Sequence, residues 1–292
     1  MRVHHLSCGT MCPLGGSLVD GTGSPFRTAT MVCHCLLIET DRGLVLVETG
    51  LGLQDVVDPV VPLPRYFRLV TRPRLDVSET AVRQVAGLGH SPDDVRHIVV
   101  THLDVDHAGG LRDFPRAKVH VYETEYRTAL AGATRADRAR YHAADWSHGP
   151  DWVVHRTGLA DTWLGFEAVR EPEGLPPEIL LVPLAGHTRG HVGVAVQAGP
   201  RWLLHAGDAY FFHGEMDPTE ARCPPLLSVF ESMVATDGAA RRRNQARLRE
   251  LVRGHGDEVE VFSAHDAAEL RRYRGSQGPQ PGGDRQPSTA TP

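Results

Sequence analysis

The sequence predicts an α/β fold whose strand-end loops gather at one place. Two observations carry that reading. Short apolar runs of strand length alternate with helix-like segments along most of the chain. Four of those runs, at residues 97–100, 179–184, 202–204 and 259–262, lead into metal-capable side chains: His102, His187, Asp208 and His265. A layered α/β protein brings the carboxyl ends of its strands together, so these residues are expected to converge.

The densest stretch is Thr101-His102-Leu103-Asp104-Val105-Asp106-His107-Ala108-Gly109-Gly110. It packs four metal-capable side chains into six residues, His102 to His107, behind a buried-strand pattern. The Gly-Gly pair lets the backbone turn away. Imidazoles and carboxylates crowded there would repel, or stay poorly solvated, without a positive partner. A divalent cation meets that need. The plainer alternative is an exposed acidic loop with two incidental histidines.

In chain order, residues 2–6 read as a first strand and 8–23, rich in Gly, Cys and Pro, as a loop. Apolar runs at 31–39 and 44–48 flank Thr40-Asp41-Arg42-Gly43, a hairpin signature. Residues 55–76 carry several prolines with Tyr66, Phe67 and Leu69, either as pocket wall or as packing. Residues 77–88 read as an amphipathic helix capped by Ser78, with Val82, Val85 and Leu88 near one face. Ser91-Pro92-Asp93-Asp94 starts a short helix. Residues 118–122 alternate as a strand, 123–130 read as a helix, and 135–144 continue it beyond Gly132. Residues 145–177 read as irregular, with Trp146, Trp152, Trp163 and Phe166 forming a substrate wall or ordinary packing. Strands follow at 179–184, 192–197 and 201–205, with Gly199-Pro200 turning between the last two. Residues 239–253 form a helix whose arginines read as a solvated face. The last strand is 258–263, and Asp266 caps a last helix to Tyr273. One domain spans 1–274. Residues 275–292 have no apolar anchor and read as a disordered tail.

A chain of 292 residues can bury a large core. Apolar content of 41% and charged content of 23% are those of a globular protein. The formal charge of -5 argues against nucleic acid as the main partner. No apolar run is long enough for a membrane span, and the N-terminus lacks the apolar core of a signal peptide, so a cytoplasmic location is expected. The five cysteines, Cys8, Cys12, Cys33, Cys35 and Cys223, are an odd number and read as free thiols. Cys33 and Cys35 are read as buried packing.

On these residues the chain resembles the metallo-β-lactamase-fold hydrolases. The family's first motif, His-x-His-x-Asp-His, stands here as His102-Leu103-Asp104-Val105-Asp106-His107, with Asp104 in place of the second histidine. His187, Asp208 and His265 fall in order at the family's later ligand positions. Glu48-Thr49-Gly50 stands where the family has Asp-Thr-Gly. The likeness runs from Arg2 to Tyr273 and is closest to the N-acyl-homoserine lactonase group. Asp208-Ala209-Tyr210 resembles that group's aspartate and tyrosine, although the group spaces the tyrosine one residue further on.

The resemblance implies a four-layer αβ/βα sandwich and two divalent metal ions, zinc foremost, with manganese or iron as alternatives. One metal would take His102, Asp104 and His187. The other would take Asp106, His107 and His265, and Asp208 would bridge. Asp104 adds negative charge and a harder donor, or else swings away and leaves the first metal weakly held. The implied reaction is quorum-quenching hydrolysis of a lactone or simple ester by hydroxide shared between the metals. Tyr210 would stabilise the oxyanion and Asp106 would pass a proton to the leaving alkoxide. His191, His205 and His213 are expected to support rather than ligate. A small-molecule substrate is the expected partner, without membrane or nucleic acid, and a homodimer is admitted. The alternatives are a phosphodiester, thioester or β-lactam substrate, or nucleic-acid processing, since the fold does not fix the reaction.

Overall fold

The computed structural model describes residues 1–57, 63–158, 162–170 and 172–276. Its strands are β1 (Arg2–Met11), β2 (Met31–Thr40), β3 (Gly43–Val47), β4 (Pro73–Arg74), β5 (Val95–Val99), β6 (Lys118–Tyr122), β7 (Asp151–His155), β8 (Thr162–Trp163), β9 (Phe166–Glu167), β10 (Ile179–Pro183), β11 (Val192–Ala198), β12 (Arg201–His205) and β13 (Val259–Phe262). The α-helices are α1 (Ser17–Asp20), α2 (Leu53–Val57), α3 (Arg65–Thr71), α4 (Ala81–Gly87), α5 (Val105–Ala108), α6 (Glu123–Ala131), α7 (Arg135–Arg140), α8 (Pro225–Val234), α9 (Gly238–His255) and α10 (Ala267–Ser276). One sheet runs β4-β1-β2-β3-β5-β6-β7 and a second runs β10-β11-β12-β13. No helix of the described residues is long and apolar enough to cross a membrane.

Side-chain alternation builds the layers. On β2, Leu36 and Ile38 enter the core shared by the two sheets, while Cys35 and Leu37 enter the core on the opposite face. On β3, Val45 and Val47 go one way and Leu44 and Leu46 the other. The second sheet repeats the pattern. Ile179 and Leu181 of β10 face the first sheet, and Leu180 and Val182 face away. The outer faces are covered by Ala81 and Val85 of α4 on one side and by Leu248 and Leu251 of α9 on the other. Helix, sheet, sheet and helix therefore stack as the expected αβ/βα sandwich.

Several local expectations are corrected. β1 extends to Met11, so residues 8–11 are strand rather than loop. The helix at 77–88 is a 3₁₀ turn followed by α4, and its cap is Asp76, which accepts from the Ser78 backbone. Gly132, at φ 51, ends α6, and a capping box at Thr134 and Asp137 starts α7 as a separate helix. The stretch 145–177 contains β7, paired parallel with β6. Trp146 and Trp152 pack on the first-sheet core and Trp163 lies in the second, so the tryptophans are packing. Apart from the end of α10, the expected tail lies outside the described residues.

Leu181 is fully buried between the sheets. Leu181→Ala is expected to cost about 2–5 kcal/mol. The check is a lower urea midpoint at unchanged m-value. Phe26→Ala, at a side chain 97% exposed, should leave the midpoint in place.

Candidate metal centre

Each strand end delivers its residue through a tight turn. β5 runs into Thr101 and His102, and Asp104 then begins the short helix α5, which carries Asp106 and His107. Gly186, at φ 148, precedes His187; a Cβ there would lie 2.4 Å from the Arg241 nitrogen. Gly207, at φ 53, precedes Asp208; a Cβ there would lie 2.6 Å from His191 Nε2. Both positions need glycine. The Ala264 backbone donates to the Gly207 carbonyl, tying the Asp208 and His265 loops together.

The structure brings His102, Asp104, Asp106, His107, His187, Asp208 and His265 into one cluster. Asp208 stands at its middle. Its Oδ2 lies 3.1 Å from His187 Nε2 and 3.7 Å from His102 Nε2. Its Oδ1 lies 3.0 Å from His265 Nε2 and 3.3 Å from His107 Nε2. Asp106 Oδ2 is 3.6 Å from His265 Nε2. His102 Nε2, His107 Nε2 and Asp208 Oδ1 are buried without a hydrogen-bond partner. Buried polar atoms are ordinarily paired, so three orphans aimed at one another mark a place for a cation. Imidazole nitrogen and carboxylate oxygen form a donor set that zinc accepts.

The charges agree. Burial alone would lower His107, yet Asp208, Glu48 and Asp106 pull it well above the ordinary imidazole range. Burial likewise opposes His265, and Asp208 and Asp106 pull it up. Burial raises the Asp106 carboxyl against the pull of His107 and His265. Asp106, Asp208 and Glu48 thus draw positive charge toward His107 and His265, while burial lowers His102 and His187.

The supporting shell fixes each ring. His107 Nδ1 donates to Glu48 Oε2 at 2.8 Å, and the Thr101 backbone donates to Glu48 Oε1 at 2.5 Å. Glu48 holds a left-handed φ of 65, a strained setting for a residue with a Cβ. Its longer side chain thus does the orienting that the resemblance assigns to an aspartate. His265 Nδ1 donates to the Val32 carbonyl at 2.8 Å. His191 Nε2 accepts from the Asp208 backbone at 2.9 Å, His205 Nε2 donates to the His34 carbonyl, and His213 Nδ1 pairs with Asp266. All three act as supports, as expected. Cys33 Sγ lies beside Asp106 and His265. Burial and Asp106 push its thiol well up, which keeps it protonated.

Two residues here were not anticipated from sequence. Glu125, fully buried, accepts from the Leu103 backbone, the Thr188 hydroxyl and the Gly190 backbone, locking the His102 and His187 loops together. Arg140, at the end of α7, donates from Nε to Asp104 Oδ1 at 2.7 Å and from Nη2 to Asp104 Oδ2 at 2.6 Å. The same Nη2 stands 2.6 Å from His187 Nε2, and Nη1 donates to the Val234 carbonyl at 2.7 Å. Burial would raise Asp104; Arg140 and His102 outweigh it and hold the carboxyl well below its usual range.

Tyr210 does not join the cluster. It is fully buried in the core behind the second sheet, and its hydroxyl donates to Glu269 Oε1 at 3.0 Å. The tyrosine comes one residue early, so its ring turns away and Phe211 takes the facing position. Phe211 stacks on His265 at 5.1 Å and meets His187 edge-on. Beyond it opens a cavity of about 910 Å³. Its walls include Met31, Phe67, Val70, Leu227 and Phe230, with Asp104, Asp106, Arg140 and Asp208 lining the same space. Tyr66 and Leu69 also line it, so the described part of the segment 55–76 walls the pocket; residues 58–62 lie outside the described residues. Burial and the nearby Asp104 and Asp106 push the Tyr66 phenol up to about 12.

Comparison with known proteins agrees with this layout. The family profile described as the metallo-beta-lactamase superfamily matches residues 29–255, which include all of the clustered residues except His265. A probable metallo-hydrolase of Mycobacterium tuberculosis is 42% identical over 266 residues, 91% of this chain and 80% of that one. An N-acyl homoserine lactonase of Bacillus thuringiensis is 30% identical over 119 residues, 41% of this chain and 48% of that one. An N-acyl homoserine lactone hydrolase solved with N-hexanoyl-L-homoserine at its catalytic metal centre superposes with a TM-score of 0.66 at 21% identity, covering 92% of this chain and 95% of that one. That likeness is one of fold. A profile match over most of the chain, joined to a relative 42% identical across 80% of its length, places this chain in the metallo-beta-lactamase superfamily.

Proposed function

We propose that this metal-dependent hydrolase opens a lactone or simple ester with an apolar acyl group, of the N-acyl homoserine lactone kind. One observation carries the reading: orphaned imidazole and carboxylate atoms lie beside an apolar cavity of about 910 Å³. An acyl chain fits such walls, and the polar cluster orients the bond to be cut. The lactonase relatives make N-acyl homoserine lactones the first substrates to try.

Asp106, His107, Asp208 and His265 would hold a metal ion, zinc first by its donors. His102, Asp104 and His187 border a second position, where Arg140 already sits. A bound metal supplies Lewis acidity toward the carbonyl oxygen and lowers the pKa of water. The chain's own residues do the rest. Glu48 and the Val32 carbonyl fix the His107 and His265 rings. Asp106 lines the cavity, so its carboxylate can take a proton from the attacking water and pass it to the leaving alkoxide. Tyr66 lines the wall, with its hydroxyl 3.5 Å from the Arg140 carbonyl. Phe211 and the apolar walls exclude water from the bound ester. The arginines of α9 give the nucleic-acid reading little support. Arg241 is buried against Glu231, Arg247 lies over Phe166 and Arg249 donates to the Glu215 carbonyl.

The test is a panel of lactones, phosphodiesters, thioesters and β-lactams, run before and after chelator dialysis. Acyl lactones should turn over fastest, and the activity should vanish with the chelator and return with a divalent metal. A preference for phosphodiester or β-lactam would reject this reading. Tyr210→Phe is expected to leave kcat unchanged and to cost about 1–3 kcal/mol of stability, since Glu269 loses a buried donor. A kcat loss of roughly 10-fold or more at unchanged metal content would return the phenol to the mechanism.

A further inference from the structure

We propose that Arg140 takes the place of one metal, so that this chain binds a single metal ion and the position between Asp104 and His187 is filled by a guanidinium. The inference rests on the metal-hydrolase reading above and narrows it.

The geometry points there directly. A metal shared by Asp104 and His187 would stand about 2.0–2.2 Å from a carboxylate oxygen and an imidazole nitrogen. Arg140 Nη2 stands 2.6 Å from Asp104 Oδ2 and 2.6 Å from His187 Nε2. The nitrogen therefore lies equally close to the two atoms that such an ion would bind. Asp104 is also engaged at its other oxygen by Nε, in the two-pronged pairing that suits arginine to carboxylate. A third anchor comes from outside the cluster, where Nη1 donates to Val234 at the end of α8. That is a helix carboxyl end, where a cation is favoured. The guanidinium is thus held by two helices as well as by the ligands.

The orphaned atoms tell the two positions apart. His102 Nε2, His107 Nε2 and Asp208 Oδ1 lack hydrogen-bond partners, whereas Asp104 and His187 Nε2 have them. The unmet demand for a cation lies where His102, His107 and Asp208 meet, and not at Asp104 or His187 Nε2. The substitution that breaks the family motif matches this. An aspartate can form a two-pronged pair with arginine, and a histidine in its place could not. Asp104 and Arg140 read as one exchange, a carboxylate and a guanidinium in place of an imidazole and a metal.

The experiment is metal stoichiometry on the full chain. Protein is stripped with chelator, reloaded with excess zinc chloride, desalted and analysed by inductively coupled plasma mass spectrometry. A parallel series uses manganese chloride. The wild type is expected to hold about one metal per chain, and Asp104→Ala should keep it. Arg140→Met removes the charge at similar length and should admit a second ion, giving about two per chain; Arg140→Lys should remain near one. Two tightly held metals in the wild type would overturn the proposal, as would an Arg140→Met variant that folds and still takes one. The wild-type count decides the matter even if Arg140→Met does not fold. No metal in the wild type is a different failure, because it removes the metal-hydrolase reading itself.

Discussion

Buried negative charge organises this molecule. Asp106, Asp208 and Glu48 are buried together at the strand ends, with the partly exposed Asp104 beside them. Two unit charges about 4 Å apart interact by about 4 kcal/mol at an effective dielectric near 20. Such a cluster is tolerable only if cations sit within it. Arg140 supplies one, bound to Asp104 from two sides. The remaining demand falls where the orphaned atoms of His102, His107 and Asp208 meet. A divalent ion set beside the guanidinium would meet about twice the repulsion of a unit charge, so the two cations divide the cluster between them.

The scaffold holds that charge in place by tying loops to one another. Glu125 fastens the His102 loop to the His187 loop, and the Gly207 carbonyl fastens the Asp208 loop to the His265 loop. Glu48 reaches across from β3 to hold both His107 and the Thr101 backbone. Its left-handed backbone is strain retained where the cluster needs a carboxylate at a fixed height. The apolar cavity next to the cluster lowers the local polarity and strengthens every one of these contacts.

The clustered residues were legible because His102, His187, Asp208 and His265 each follow an apolar run, and four of the seven lie in one short stretch. The layers were legible because strands such as β2 and β3 alternate cleanly between two cores. β7 was not, since its residues are half-exposed at an edge and carry no such alternation. Arg140 and Glu125 were invisible for a different reason. Arg140 acts on residues 36 and 47 positions away, and Glu125 on residues 22 and 63 away, so only the folded chain brings their partners near. Arg140 also sits in Arg135-Ala136-Asp137-Arg138-Ala139-Arg140, where nothing sets it apart from its neighbours. Tyr210 misled because a single-residue offset after a strand decides which side chain faces the site; here that is Phe211.

Anomalous diffraction from crystals of the metal-loaded protein locates the cation most directly. One strong peak is expected among Asp106, His107, Asp208 and His265, with the Arg140 guanidinium still paired to Asp104. A peak of comparable height between His102, Asp104 and His187, with Arg140 displaced, would contradict the division of charge described here.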